Sequence, residues 1–448
     1  MPISRRDFLA MSALGVASLL IPGCASSSSS AALGTPPVGF LTLPTHPPFP
    51  ASVASAEQAA MVALSMVDAA LAQSTFAVGG LIVETNTGRV IQAMHNNVIR
   101  KLPDEPNQVF TWDPTAHGER QLVSWYYANA SKLSLPPPEE LTIVTSLDPC
   151  AQCAGSIMTA GFKAGVIAYD DVAGVNYNLQ ANFLSLPERF RPLASETFGY
   201  YAIDPGRRHS GATQPIYSNM AVLAPTAKAC LTQFEKSRTV VEQVRTTTNL
   251  TPAEMTDPAT LSADSPVKTA LTQRFPTAFT LRLSDYRRPD AALKQLLLDQ
   301  RDASPGAKNA VALIDPFGNV VAAAPDTFDV SPINTGFMNV VEGYSQARFE
   351  LAANPSTKQA GASSLTNPKY GTFVWLHAPS ARDTTTIKDL GIYDLTIEGA
   401  IPVLNPSNFQ YYDAPVSGTE EHLLAMIQTM STWTAPADPQ RVARHRSH

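Results

Sequence analysis

The stretch from Asp113 to Gly161 constrains this chain more than any other, because it gathers the side chains of a metal site into two short phrases, His117-Gly118-Glu119 and Pro149-Cys150-Ala151-Gln152-Cys153. One imidazole and two thiols are zinc ligands by type. Catalytic zinc typically takes three protein ligands and leaves a position for water, whereas structural zinc is closed by four. No fourth candidate lies close in sequence. The spacing predicts that Asp148 caps a helix with Pro149 at its first position, so that Cys150 and Cys153 lie one turn apart. Asp113-Pro114-Thr115 is likewise expected to open the helix carrying His117 and Glu119. Two helix N-termini would then favour thiolates at the metal.

Two thiolates cancel the formal charge of Zn²⁺, so a water on the metal needs a nearby base to become hydroxide near neutral pH. Glu119 is placed to be that base. It is expected to carry the proton to a ring nitrogen and then help an amino group leave as ammonia. The reaction so defined is hydrolytic deamination at an amidine-like carbon of a nucleobase. A Cys-x-x-Cys alone also reads as a redox pair; the upstream His-x-Glu and the Pro before Cys150 favour the metal.

The first residues read as an address. Ser4-Arg5-Arg6-Asp7-Phe8-Leu9 looks like a twin-arginine export motif, and Ala10 to Ile21 suits a signal core too short to span a bilayer. Leu20-Ile21-Pro22-Gly23-Cys24 resembles a lipobox, which makes Cys24 a candidate lipidation site and a membrane anchor. The expected location is the periplasm or cell envelope. Residues 25–54, Ser-rich and then Pro-rich, read as a tether. A net charge of -6 and the lack of a dense Lys/Arg run argue against nucleic acid as a partner and for a small-molecule substrate.

At 448 residues, two or three domains are expected. Ser55 to Gln73 has helical apolar spacing. Residues 77–83 and 90–94 read as a hairpin around Asn86-Thr87-Gly88, and Gln121 to Ala130, Leu141 to Leu147, Ala151 to Ala160 and Gly165 to Tyr169 continue as helix, strand, helix, strand. Met220 to Phe234 reads as a helix, and Thr246 to Pro252 as linker. The order of elements then repeats: a helix at Arg288 to Asp299, a hairpin around Phe317-Gly318-Asn319, a helix at Met338 to Ala347, a strand at Phe373 to Leu376, a short helix at Thr384 to Leu390 and a strand at Tyr393 to Ile397. The fold class is therefore α/β, a three-layer α/β/α arrangement in two tandem copies.

The residues Asp113-Pro114-Thr115-Ala116-His117-Gly118-Glu119 and Leu147-Asp148-Pro149-Cys150-Ala151-Gln152-Cys153-Ala154-Gly155-Ser156-Ile157, with the hairpin ending His95-Asn96-Asn97-Val98, resemble the cytidine and deoxycytidylate deaminase superfamily. The likeness is greatest to its guanine deaminase and tRNA-adenosine deaminase branch, and it covers roughly Ser55 to Asp171. It implies a cytidine-deaminase-like fold, Zn²⁺ held by His117, Cys150 and Cys153, Glu119 as proton shuttle, and substrate contacts from Asn96 and Ala116. Asn96 also reads as a turn residue closing the hairpin. The pattern departs from the family in a longer loop at Arg100 to Trp112 and in Asp170-Asp171, which do not cleanly reproduce the acidic residue that guanine deaminases place near the base's amino group. Aligning the second copy puts Phe337 at the place of His117, Asn339 at that of Glu119, and Pro379 and Arg382 at those of the cysteines. The second copy is thus expected to be degenerate and to pack on the first as an internal pseudo-dimer in a monomeric chain.

The resulting plan is a signal at 1–24, the tether at 25–54, a catalytic domain at 55–235, a linker at 236–263, a degenerate deaminase-like domain at 264–438 and a tail at 439–448. The expected function is zinc-dependent deamination of a nucleobase or nucleoside, a purine such as guanine first. Alternatives are a tRNA-type adenosine deaminase, a cytosine or cytidine deaminase, and an exported binding protein with structural zinc. Cys230 is expected to be a small buried hydrophobe, and Arg207-Arg208-His209 and Arg444-His445-Arg446-Ser447-His448 to be solvated.

Overall fold

The computed structural model describes residues 46–169, 174–175, 183–201, 209–210, 221–247, 250–392, 406–416, 418–430 and 439–442. The signal, Cys24, most of the tether, Asp170, Asp171, Arg207, Arg208, the segment at 393–397 and the terminal basic residues lie outside them.

The first half opens with α1 (Ala56–Gln73), capped by Ser55, whose side chain accepts from the Gln58 N–H. The hairpin strands β1 (Gly79–Glu84) and β2 (Val90–His95) follow, with Gly88 at φ 71° in their turn, a conformation glycine adopts freely. The chain continues through β3 (Ile99–Leu102), β4 (Glu105–Thr111), α2 (Gly118–Leu133), β5 (Leu141–Leu147), α3 (Ala151–Ala160), β6 (Lys163–Ala168), α4 (Arg191–Thr197), β7 (Phe198–Tyr200), β8 (His209–Ser210) and α5 (Ala224–Thr247). The sheet runs β2-β1-β5-β6-β7-β8, antiparallel from β2 to β5 and parallel from β5 to β7. Alternation along β1 sends Leu81 and Val83 into one core, with the buried residues of α1, and Ile82 into another, with Leu122 and Val123 of α2.

The second half repeats this plan with α6 (Pro266–Arg274), α7 (Ala291–Asp302), β9 (Ala310–Ile314), β10 (Val320–Pro325), α8 (Gly336–Ala353), α9 (Lys358–Ser364), β11 (Thr372–His377), α10 (Thr384–Gly391), β12 (Phe409–Asp413), α11 (Glu420–Thr429) and β13 (Gln440–Arg441). Its sheet order, β10-β9-β11-β12-β13, matches the first five strands of the other in order and direction. Ala310, Ala312 and Ile314 face the α7 side while Val311 and Leu313 face the α8 side. The α2/α3 face of one sheet and the α8/α10 face of the other share one continuous core, in which Leu122 and Ile157 belong to the same cluster as Tyr344, Trp375 and Ile387.

Several expectations change. Residues 46–54 are not free tether where they are described: Val53 is buried, its N–H donates to the Gly88 carbonyl, and the Ala51 carbonyl accepts from the Val90 N–H. The helix expected to end at Phe234 continues to Thr247, because Val241 packs with Phe76, Val98 and Ile99; the connection between halves therefore starts later than residue 236. The strand pairing in parallel with β11 is Phe409–Asp413. The Arg100 to Trp112 loop is the β3/β4 hairpin. It reaches the second half through a Lys358 Nζ to Glu105 Oε1 contact of 2.6 Å and through Phe110, which lies 6.5 Å from Phe349 and 5.2 Å from the Arg348 guanidinium. Cys230 is buried in the core of the first half, as expected of a small hydrophobe.

Candidate active site

Two helix N-termini and one strand meet at the expected site, but the caps differ from the sequence reading. His117 is itself the N-cap of α2 and Cys150 the N-cap of α3, and neither makes a side-chain capping bond. Asp113 instead accepts from the N–H and hydroxyl of Thr115, at 2.8 and 2.7 Å, and Asp148 accepts from the Tyr200 hydroxyl at 2.6 Å. The two aspartates build the loops that deliver His117 and Cys150 to the helix starts. Cys153 follows one turn into α3.

His117 Nδ1 lies 3.5 Å from each of Cys150 Sγ and Cys153 Sγ. The three donor atoms all fall within 4.8 Å of one another. Tetrahedral zinc, with Zn–S of about 2.3 Å and Zn–N of about 2.0–2.1 Å, places nitrogen and sulfur about 3.6 Å apart. The donor set thus fits zinc in type and spacing, and His117, Cys150 and Cys153 would hold it. His117 and Cys153 are buried, whereas Cys150 is partly open to solvent. A hydrogen bond from the Cys153 thiol and the charge of His117 pull the Cys150 thiol well below its usual range.

Glu119 is buried beside this group without belonging to it. Its Oε1 accepts from Thr145 Oγ1 at 2.8 Å, and its Oε2 lies 3.3 Å from Cys153 Sγ. Burial, then the neighbouring Cys150 thiolate, raise its carboxyl above the usual range. Asn96, directly after β2, accepts the Gly118 N–H on Oδ1 at 2.5 Å, while its Nδ2 has no partner among the described residues. Ala116 is buried, and its carbonyl accepts from the Asn97 N–H and Gln121 Nε2, which leaves its methyl group for any contact.

Sequence reasoning missed Thr145, Gln152 and Arg120. Thr145 fixes Glu119. Gln152 Nε2 holds the Thr115 carbonyl at 2.8 Å, tying the α3 start to the loop before His117. Arg120 pairs with Glu342 of the second half. The available signal was the polar residues Thr142, Thr145 and Ser146 in a strand buried along its whole length, which does not by itself single out Thr145.

The same cap positions correct the alignment of the second copy. Thr335 caps α8 as His117 caps α2, Gly336 donates its N–H to Asp326 Oδ1 at 2.8 Å as Gly118 does to Asn96, and Asp383 caps α10 as Cys150 caps α3. The counterparts of His117, Glu119, Cys150 and Cys153 are therefore Thr335, Phe337, Asp383 and Thr386. They include neither a histidine nor a cysteine. Lys388, buried, bonds the Thr335 hydroxyl at 3.1 Å and pairs with Asp389, so an internal ammonium stands against the residue in the histidine position.

Residues 54–169 match the family model of the cytidine and deoxycytidylate deaminase zinc-binding region. Among solved structures, a chain from a study of A-to-I editing by tRNA:A34 deaminases is 24% identical, covering 25% of this chain and 76% of its own length at a TM-score of 0.19. The guanine deaminase from Nitrosomonas europaea is 15% identical, covering 47% and 100% at a TM-score of 0.27. No curated protein matches the chain. The family match thus lies over a His/Cys/Cys donor set that fits zinc, and residues 54–169 are similar to the zinc-binding region of the hydrolytic cytidine and deoxycytidylate deaminases.

Proposed function

We propose that the first half deaminates a free nucleobase or nucleoside, guanine being the first candidate, with Glu119 as its proton carrier. The observation that carries this reading is a buried carboxylate, held by Thr145 and set 3.3 Å from Cys153 Sγ, that the metal does not need as a ligand. Structural zinc requires no such group and takes four protein ligands, whereas the donor group here has three among the described residues. Bound zinc supplies the Lewis acidity that makes water a nucleophile near neutral pH. Glu119 takes the proton of the attacking water on one carboxylate oxygen, delivers it to a ring nitrogen of the base, and assists the amino nitrogen as it leaves as ammonia. Asn96, its Oδ1 committed to Gly118, offers Nδ2 as a donor to the base edge, beside the Ala116 methyl group.

The proposal includes export by the twin-arginine route and an acyl chain on Cys24, which metabolic labelling with a fatty acid and a Cys24→Ser control would test. The catalytic part is tested by incubating zinc-loaded protein with guanine, adenine, cytosine and their nucleosides and measuring ammonia. Release from a purine, guanine foremost, is expected. Release from none of them would exclude the reading.

A further inference from the structure

The second half has lost the metal chemistry but kept a cavity in its place. The counterparts of Asn96, His117, Glu119, Cys150 and Cys153, namely Asp326, Thr335, Phe337, Asp383 and Thr386, all line one space of about 610 Å³. That volume lies within the range of small-molecule sites, roughly 300–1,000 Å³. Where the first half places a carboxylate, Phe337 now lies 4.8 Å from Trp375, and both rings line the cavity. Phe328 adds a third ring to the wall.

The polar groups divide by depth. Inside, the carboxylates are already satisfied: Asp326 accepts the N–H groups of Gly336, Lys308 and Asn309, and Asp389 is bonded to Lys388 and Thr335. At the lining's exposed edge stand Lys308 and Arg382, neither with a carboxylate partner among the described residues. The Lys308 ammonium is 5.8 Å from the Phe328 ring centroid. Asp383 is the one exposed acid among the lining residues. The first-turn residues Thr384 and Thr385 of α10 also line the cavity, and their hydroxyls and the helix N-terminus add to the attraction for an anion.

We propose that this cavity is a non-catalytic binding site for a planar heteroaromatic molecule carrying an anionic group, a purine nucleoside monophosphate by size and charge. The ring system lies against Phe337 and Trp375, the sugar fills the space that a free base would leave empty, and the phosphate meets Lys308, Arg382 and the α10 N-terminus. The inference rests on this cavity and stands whatever base the first half deaminates.

The test uses the zinc-loaded full chain with guanosine monophosphate, guanosine, guanine and inorganic phosphate as probes in equilibrium binding. Photolabelling with an azido-purine monophosphate and peptide mapping locates the site. The expected result is that the monophosphate binds at least tenfold more tightly than guanosine or phosphate and labels peptides containing Phe328 or Trp375. Arg382→Ala combined with Lys308→Ala, both at exposed positions, should abolish that tenfold preference while leaving thermal stability and ammonia release unchanged. No saturable monophosphate binding, equal affinity in the double variant, or label confined to peptides containing His117 or Cys150 would overturn it.

Discussion

Thr145 shows how one side chain outside the motifs sets the site. Its hydroxyl is the protein donor that holds Glu119 Oε1, so Thr145→Val, which keeps the shape and removes the bond, should lower kcat about tenfold, corresponding to about 1.4 kcal/mol, with zinc content unchanged. An unchanged kcat would remove Thr145 from the account. In the second half, burial pushes the Asp326 carboxyl up to about 6. Because its folded pKa lies above the roughly 3.9 of an exposed aspartate, its contribution to stability is complete below about pH 4 and is lost as the pH rises through 6. Relative to Asp326→Asn, the wild-type chain should lose up to about 3 kcal/mol across that window and stay level above pH 7 in urea titrations. That His117, Cys150 and Cys153 come together, with Glu119 beside them, was legible because ligand chemistry is written in residue type and short spacing. The caps were misread for two reasons: Asp148 is taken by Tyr200, a partner 52 residues on that local propensity does not contain, and Asp113 closes a local turn onto Thr115 instead of capping the helix.

The α3/α10 pair is the element on which the two halves join. The helices approach so closely that a Cβ on Gly155 would lie 2.5 Å from Lys388 N, and one on Gly391 would lie 2.5 Å from Gln152 N. Alanine at an uncrowded helix position would stabilise by up to about 1 kcal/mol relative to glycine. Here the contacts are backbone and cannot yield, so Gly155→Ala should destabilise by about 1–3 kcal/mol, read as a lowered melting temperature. Lys388→Met leaves Asp389 buried without its cation and should cost about 3–5 kcal/mol. The helix and hairpin periods of both halves were readable because each buries one face. Strand β12 was not: its residues alternate Phe409, Gln410, Tyr411 and Tyr412, and Gln410 is buried because its amide bonds the Arg287 and Ser407 carbonyls.

At the scale of the whole molecule, two copies of one sheet plan share a core, and among the described residues the donor set lies in the first. Arg120 to Glu342, Lys358 to Glu105 and the Phe110 to Phe349 contact tie the catalytic loops to the silent half. The chain should therefore behave as a monomer in light scattering, with its second copy in the place of a partner subunit, and a version ending before residue 264 should aggregate as the α2/α3 face is uncovered. The duplication was legible in the order of elements; the cavity that replaced the second site was not, because Thr335, Asp383 and Thr386 meet only through folding. Whether Glu119 carries the proton at a single zinc is decided by measuring bound zinc and ammonia release together, for the wild-type chain and for Glu119→Ala. One zinc per chain is expected in both, with release falling about 10²–10⁴-fold in the variant. Two zincs per chain, or equal release from the variant, would contradict that reading.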